Sequence, residues 1–549
     1  MPHPVSANSA VEPISQEAVE NGEVYTRRWV VDMILDLAGY TADRDLGQWT
    51  ITDPACGTGA FLLSIAERLS TACRKQGRDL PERAVRAFDL LDRNVQASRK
   101  AVVELLTADG WEKTEVERLA RIWIRSGDYL LEPAQQSDFV VGNPPYIRLE
   151  DVPDQRMRAY RKNQRTMVGR SDIYVGFFEK ALNSLPPGGV LGFICADRWM
   201  RNQYGRELRK MVADRYSMKA VVIMHDVDAF ESQVAAYPAV TILANEPQGP
   251  VIAADTTARF DAEQAQELLS WVRAEGVPEE SNDAFQVARL PHWFSGDESW
   301  PAGSPARLAM LEYLNDRFPT LEETATRVGI GVATGADAVF VTTDSLAVEN
   351  DRLLPMAMVK DAKTGHFQWQ GTYLVNPWES SGGLVDLDRY PKLKRYFEAH
   401  EAKLKSRYVA KQRPSHWYKT IDKVDPDLTN RPKLLLPDMK LTIHPVLDEG
   451  GHYPHHNLYY VVSDSWDMRV LGGLLLSRVA QAFVEAYAVR MRGGTLRFQA
   501  QYLRRIRVPA PDSLSSADAL ALATAFDQRD VQAATSAALH AYGIDRIPD

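Results

Sequence analysis

The chain has 549 residues, 45% hydrophobic and 25% charged, with a formal net charge of −9. Its three cysteines (Cys56, Cys73 and Cys195) are too few and wrongly spaced for a disulfide framework or a cysteine-rich zinc site. No apolar run approaches the ~20 residues of a membrane span and the N-terminus lacks a signal pattern, so a cytoplasmic protein is expected.

Residues 1–20 read as a disordered leader. Trp49-Thr50-Ile51-Thr52 then predicts a strand, followed by the turn Asp53-Pro54-Ala55-Cys56-Gly57-Thr58-Gly59-Ala60-Phe61 and a helical stretch from Leu62 to Leu69. A strand, a glycine-rich turn and a helix place a ligand against backbone at the carboxyl end of a parallel sheet; Gly57 and Gly59 permit the close approach. Cys56 has no basic sequence neighbour to lower its pKa and reads as a small packing group. Further strand–helix units follow, with residues 85–88 ending in Asp89 and residues 122–125 leading to Gly127-Asp128-Tyr129-Leu130.

Phe139-Val140-Val141-Gly142 predicts a strand that ends in Asn143-Pro144-Pro145-Tyr146. Taken alone this is a proline turn after a strand. As a site it has more content. Proline fixes φ and lacks an N–H, so the loop carbonyls can face a ligand. Asn143 Oδ1 and the Pro144 carbonyl can each accept one hydrogen of an exocyclic amine, while Tyr146 stacks on its ring. Such a nitrogen shares its lone pair with the ring; two acceptors that favour its tetrahedral form stabilise the transition state more than the ground state.

A basic stretch with Arg156, Arg158, Arg161, Lys162 and Arg165 comes next, and Val240-Thr241-Ile242-Leu243 reads as a late strand. Residues 251–320 are expected to be connector. Gly329 to Val341 reads as turn and strand, with no Lys-Ser/Thr after its glycines to make a phosphate loop. Residues 392–419 interleave bases with aromatics, Lys411 and Trp417 among them, as a duplex-gripping surface or an amphipathic helix would. Leu434 to Lys440 lacks the spacing of a magnesium nuclease and reads as a strand. His444, His452, His455 and His456 have no carboxylate or cysteine spacing for a tetrahedral site, so no metal is expected. Leu474 to Val489 predicts one helix, and Ala517 to Tyr542 further helical segments capped by Ser515 or Ser516.

With these motifs in this order, the chain resembles the S-adenosylmethionine-dependent adenine-N6 DNA methyltransferases, in the gamma arrangement of restriction–modification enzymes. The resemblance implies an α/β fold, a Rossmann-like methyltransferase sheet followed by a mixed α/β target-recognition domain. Its boundaries would be a catalytic domain at 21–250, a connector at 251–320, a DNA-binding recognition domain at 321–510 and a helical segment at 511–549. Tyr25 and Thr26 look like the N-terminal cofactor loop. Asp53, Ala55, Gly57 and Gly59 are similar to the loop holding the methionine part, and Asn143 borders it. Asp89 stands where the family's acid binds the ribose, with Asp92 a rival because the usual glycine and proline around the acid are missing. Asp128 matches the acceptor for the cofactor's adenine amine, with the Tyr129 ring beside it. Phe230 fits the aromatic opposite Tyr146, the two sandwiching or flanking a flipped base.

In that setting Arg156, Arg158, Arg161, Lys162, Arg165, Lys411 and Trp417 are expected at the DNA. Double-stranded DNA is the expected partner, with a cognate restriction endonuclease or other phage-defence subunits as further candidates, and no membrane. An RNA or protein-glutamine N-methyltransferase using the same loop is the alternative. A fused endonuclease and a catalytically silent DNA-binding subunit rank behind it.

Overall fold

The computed structural model describes residues 25–231, 237–274, 276–487 and 496–548. The expected leader at 1–20 and the Gly493–Thr495 turn lie outside the described residues. The chain divides into two compact units, Met1–Ala309 and Met310–Asp549.

The first unit is built on a ten-stranded sheet. Its strands are β1 (Ile51–Asp53), β2 (Val85–Asp89), β3 (Ile124–Ser126), β4 (Phe139–Gly142), β5 (Val190–Ala196), β6 (Ser217–Ile223), β7 (Pro238–Ala244), β8 (Val251–Thr256), β9 (Glu279–Ser281) and β10 (Phe285–Leu290). They lie in the order β3-β2-β1-β4-β5-β7-β6-β8-β10-β9. β3, β2, β1, β4 and β5 run parallel, and β7 is antiparallel to both β5 and β6. Parallel strands must bury both faces, and the alternation along β5 shows it: Ile194 packs into one apolar core, Phe193 and Cys195 into the other. The α/β expectation therefore holds.

Two local expectations are corrected. Ile122 and Trp123 close the helix Lys113–Trp123, and the strand begins only at Ile124. Residues 251–290 are more than connector, since β8 pairs with β6 and β10 with β8, extending the same sheet.

The second unit holds a four-stranded sheet of the strands Thr326–Ile330, Leu458–Ser463, Lys433–Pro437 and Val446–Asp448, in that order. Leu434 and Leu436 face one core and Leu435 the other. The single helix predicted over 474–489 is replaced by two, Met468–Leu476 and Arg478–Tyr487, bent by 62°. Ser477 sits at the break in extended backbone, its hydroxyl bonded back to the Leu474 carbonyl at 2.6 Å. The first of these helices meets the helix Ser516–Gln528 closely: a Cβ on Gly473 would stand 2.4 Å from the Leu522 carbonyl oxygen. Ser515 caps that helix as expected, accepting from the Asp518 N–H at 3.0 Å. Among the described residues no single helix is long and apolar enough to cross a membrane.

Candidate active site

The carboxyl ends of β1, β2, β3 and β4 open onto one pocket, as parallel-sheet topology requires. After β1, Gly57 takes φ 53°, a region glycine enters without strain, and its N–H reaches Asp89 Oδ2 at 2.9 Å. The Cys56 N–H donates to the Phe88 carbonyl at 2.9 Å, and Ser98 Oγ to the Gly57 carbonyl at 2.7 Å. The glycine loop is thus stitched to the end of β2 and to the helix that follows it.

Asp89 also accepts from the Leu91 N–H at 2.9 Å and Asn94 Nδ2 at 3.1 Å, and it lines the pocket. Asp92 is exposed on the first turn of its helix, outside the lining. Asp128, one residue past Gly127, accepts from the Tyr160 hydroxyl at 2.6 Å and stands 3.6 Å from Arg156 Nε. Tyr129 is buried beside it and stacks on Phe177, ring centroids 5.6 Å apart.

Tyr25, Thr26, Ala55, Gly57, Asp89, Asp128, Tyr129 and Asn143 all border this pocket. Two expected ligands do not. Asp53 is 1% exposed behind the wall, and Gly59 packs on Ser98 as the residue preceding the helix Ala60–Lys75. Asp53 Oδ1 accepts from the Ala55 N–H at 3.2 Å while Oδ2 has no partner among the described residues. Burial pushes its pKa up to about 8, with the nearby Asp89 charge adding to the effect. The Cys56 thiol is also raised by burial, which agrees with a packing role.

On the far side of Asn143 the aromatic residues gather. Pro145 reaches the pocket and Pro144 is buried behind it. The rings of Tyr146 and Phe230 meet edge to face, 6.5 Å apart at 81°. A sandwich needs parallel rings with a base-sized gap, so this geometry offers a corner that flanks a base instead. Tyr174, whose hydroxyl is 2.7 Å from that of Tyr204, lies beneath Tyr146. Tyr204 in turn donates to Asp172 Oδ2 at 2.9 Å.

The basic residues separate into groups. Arg158, Arg161, Lys162 and Arg165 are exposed, with Arg161 bonded to the Gly169 carbonyl at 3.0 Å. Arg156 turns inward to the pocket beside Asp128, away from the solvent face expected for a phosphate contact. Tyr160 stands in the same stretch of sequence; its spacing of four from Arg156 puts both on one helical face, which is the signal that finds it. In the second unit Lys411 is exposed, and Trp417 lies in a depression with Asp386, Asp388, Glu398, Glu401 and Lys394, with Lys405 Nζ 5.5 Å from its ring centroid.

Asp337, His455 and His456 come together in the second unit, an arrangement the spacing did not foreshadow. His455 Nδ1 accepts from the Asn457 N–H at 3.4 Å, which leaves the proton on Nε2, 3.1 Å from Asp337 Oδ2.

The pocket suits S-adenosylmethionine. It offers two carboxylates that accept hydrogen bonds, an aromatic wall at Tyr129 and Phe177, and a loop whose Gly57 takes the positive φ that suits glycine.

Comparison with known proteins gives concordant matches. The Eco57I restriction-modification methylase family matches residues 79–230. The chain is 45% identical to the Type II methyltransferase M.PaeR7I of Pseudomonas aeruginosa, over 95% of this chain and 92% of that one. It is 40% identical to the Type II methyltransferase M.XhoI of Xanthomonas vasicola, over 96% and 98%. To the Type II methyltransferase M.BstVI of Geobacillus stearothermophilus it is 39% identical, over 90% and 91%.

Proposed function

The chain belongs to the Type II DNA methyltransferases of restriction–modification systems, which use S-adenosyl-L-methionine, and from that premise we propose that its target is the N6 amine of an adenine extruded from duplex DNA. The observation that carries this reading is the position of Asn143. It follows β4 directly, borders the cofactor pocket and leads into the Tyr146–Phe230 corner. An amide acceptor at the junction of a cofactor pocket and an aromatic corner suits an amine carried on a flat ring.

The cofactor, when bound, supplies an activated methyl group on a sulfonium. The chain's residues do the rest by positioning. Asp89 accepts from the ribose hydroxyls and Asp128 from the cofactor's adenine amine, their loops held by the bonds described above. Tyr146 and Phe230 flank the extruded base. Asn143 Oδ1 and the Pro144 carbonyl accept the amine's hydrogens, favouring the nitrogen as it turns tetrahedral and attacks. Attack would form the N–CH3 bond as the methyl–sulfur bond breaks and leaves a neutral thioether, and the surplus proton on the amine passes to solvent or an adjacent acceptor. Arg158, Arg161, Lys162 and Arg165 contact phosphates beside the extruded base. The second unit, with Lys411 on its surface, reads the sequence. In the cytoplasm the product would shield host DNA from a cognate endonuclease.

The test is modification sequencing of DNA from a methylation-free host expressing the chain or Asn143→Ala. N6-methyladenine at one short motif is expected with the native chain, and a rate at least ~1,000-fold lower with the variant, DNA binding being retained. Methylation at cytosine, or an undiminished variant, would overturn the reading.

A further inference from the structure

The stretch Tyr25–Arg27 precedes the helix Arg28–Ala38 and runs against the loop that carries Phe230. Thr26 forms an antiparallel bridge with Phe230. The Arg27 N–H donates to the Ala229 carbonyl at 3.0 Å, and the Glu231 N–H to the Tyr25 carbonyl at 2.9 Å. Arg27 and Asp228 form an ion pair at 2.6 Å across the same pairing. Thr26 is 3% exposed, and its Oγ1 accepts from Asn143 Nδ2 at 3.2 Å. One buried hydroxyl therefore meets the amide at the end of β4 from a strand fastened to the aromatic loop.

A primary amide has a donor end and an acceptor end, exchanged by half a turn of χ2. For Asn143 only one orientation turns the carbonyl end away from the strand. We propose that Thr26 is the positioning residue for Asn143: its hydroxyl oxygen takes the amide N–H and directs Oδ1 toward the amine of the substrate. Because the same strand is bonded to Ala229–Glu231, the amide and the Phe230 ring are held in register by one element. Asn143 and Phe230 are 87 residues apart in sequence (230 − 143), so local structure alone cannot keep them aligned. This inference rests on the role proposed for Asn143 and adds what orients it.

Thr26 also borders the cofactor pocket, and a loss of cofactor affinity has to be told apart from a misaligned amide. The experiment compares the full native chain with Thr26→Val, Thr26→Ser and Asn143→Ala. Cofactor affinity is measured by calorimetry, folding by thermal unfolding, and methyl transfer in single turnovers at saturating cofactor and DNA. Valine keeps the shape and removes the acceptor; serine keeps the acceptor. Thr26→Val should slow transfer about 100-fold, the scale expected for misplacing a reacting group. Its cofactor affinity should stay within about threefold, and Thr26→Ser should recover most of the rate. Equal losses in the valine and serine variants would overturn the proposal. So would a valine variant with native rate at saturation, or a loss that follows cofactor affinity alone. An active Asn143→Ala would instead sink the reading beneath it, and the two failures are distinguishable.

Discussion

Asp53 at the end of β1 and Asp448 at the end of the strand Val446–Asp448 are each 1% exposed, and their surroundings are opposite. Asp448 accepts from Lys433 Nζ at 3.0 Å, His452 Nδ1 at 3.0 Å and the Gly450 N–H at 3.1 Å. Burial works against its charge, but the His452 hydrogen bond and the Lys433 ammonium outweigh it and hold the carboxyl below the usual range. Asp53 has one backbone partner on one oxygen, and its pKa rises to about 8. A buried charge with all its partners is part of the scaffold. A buried carboxyl with an oxygen left over, directly beneath a ligand pocket, marks where the chain has given up stability near its chemistry.

The sharpest way to break the comparison is to remove a partner in the second unit. Lys433 is fully buried and also donates to the Thr429 and His452 carbonyls. Lys433→Met should cost about 3–5 kcal/mol, because it strands Asp448 in apolar surroundings. The midpoint of urea unfolding measures it, and adding Asp448→Leu should restore much of the loss. A cost under about 1 kcal/mol would mean that the pair is solvated and that the two aspartates do not differ as described.

A smaller effect sharpens the first unit's side. Asp89 faces the pocket and Asp92 faces solvent, although the sequence left them as rivals. Asp89→Asn removes a charged acceptor worth about 1.5–3 kcal/mol, so cofactor affinity should fall roughly 10- to 150-fold. Asp92→Asn should change it by less than about twofold, as a surface substitution does. Calorimetry with the cofactor alone decides, and the reverse ranking would move the ribose contact to Asp92.

How far the molecule was legible follows the same division. Asn143 to Tyr146, the glycine loop and Asp89 were readable because turn chemistry and strand ends are written in a few adjacent residues. The inward turn of Arg156 was not, since a helical face has no sign for which neighbour it meets. Nor were β8 and β10, whose place in the sheet depends on partners far away in sequence. Trp417 looked like a stacking ring among bases until Asp386 and Asp388, about thirty residues earlier, were brought beside it. The break at Ser477 was hidden because an apolar period continues on both sides of it.

Asp53 itself is the other arm of the comparison. Its folded pKa of about 8 lies above the 3.8 of an unperturbed carboxyl. Between those values the folded chain holds a proton that the unfolded chain has lost. Stability contributed by this group is therefore complete below about pH 4 and falls as pH rises, by about 1.4 kcal/mol per pH unit at most. Asp53→Asn keeps the shape without the titration, so the variant should lack that part of the decline. Unfolding midpoints of the two proteins, compared at pH 5 and pH 7.5 without cofactor, should diverge in favour of the variant as pH rises. Parallel curves would show that Asp53 ionises normally, and the unpartnered oxygen would then be answered by water from the pocket above it.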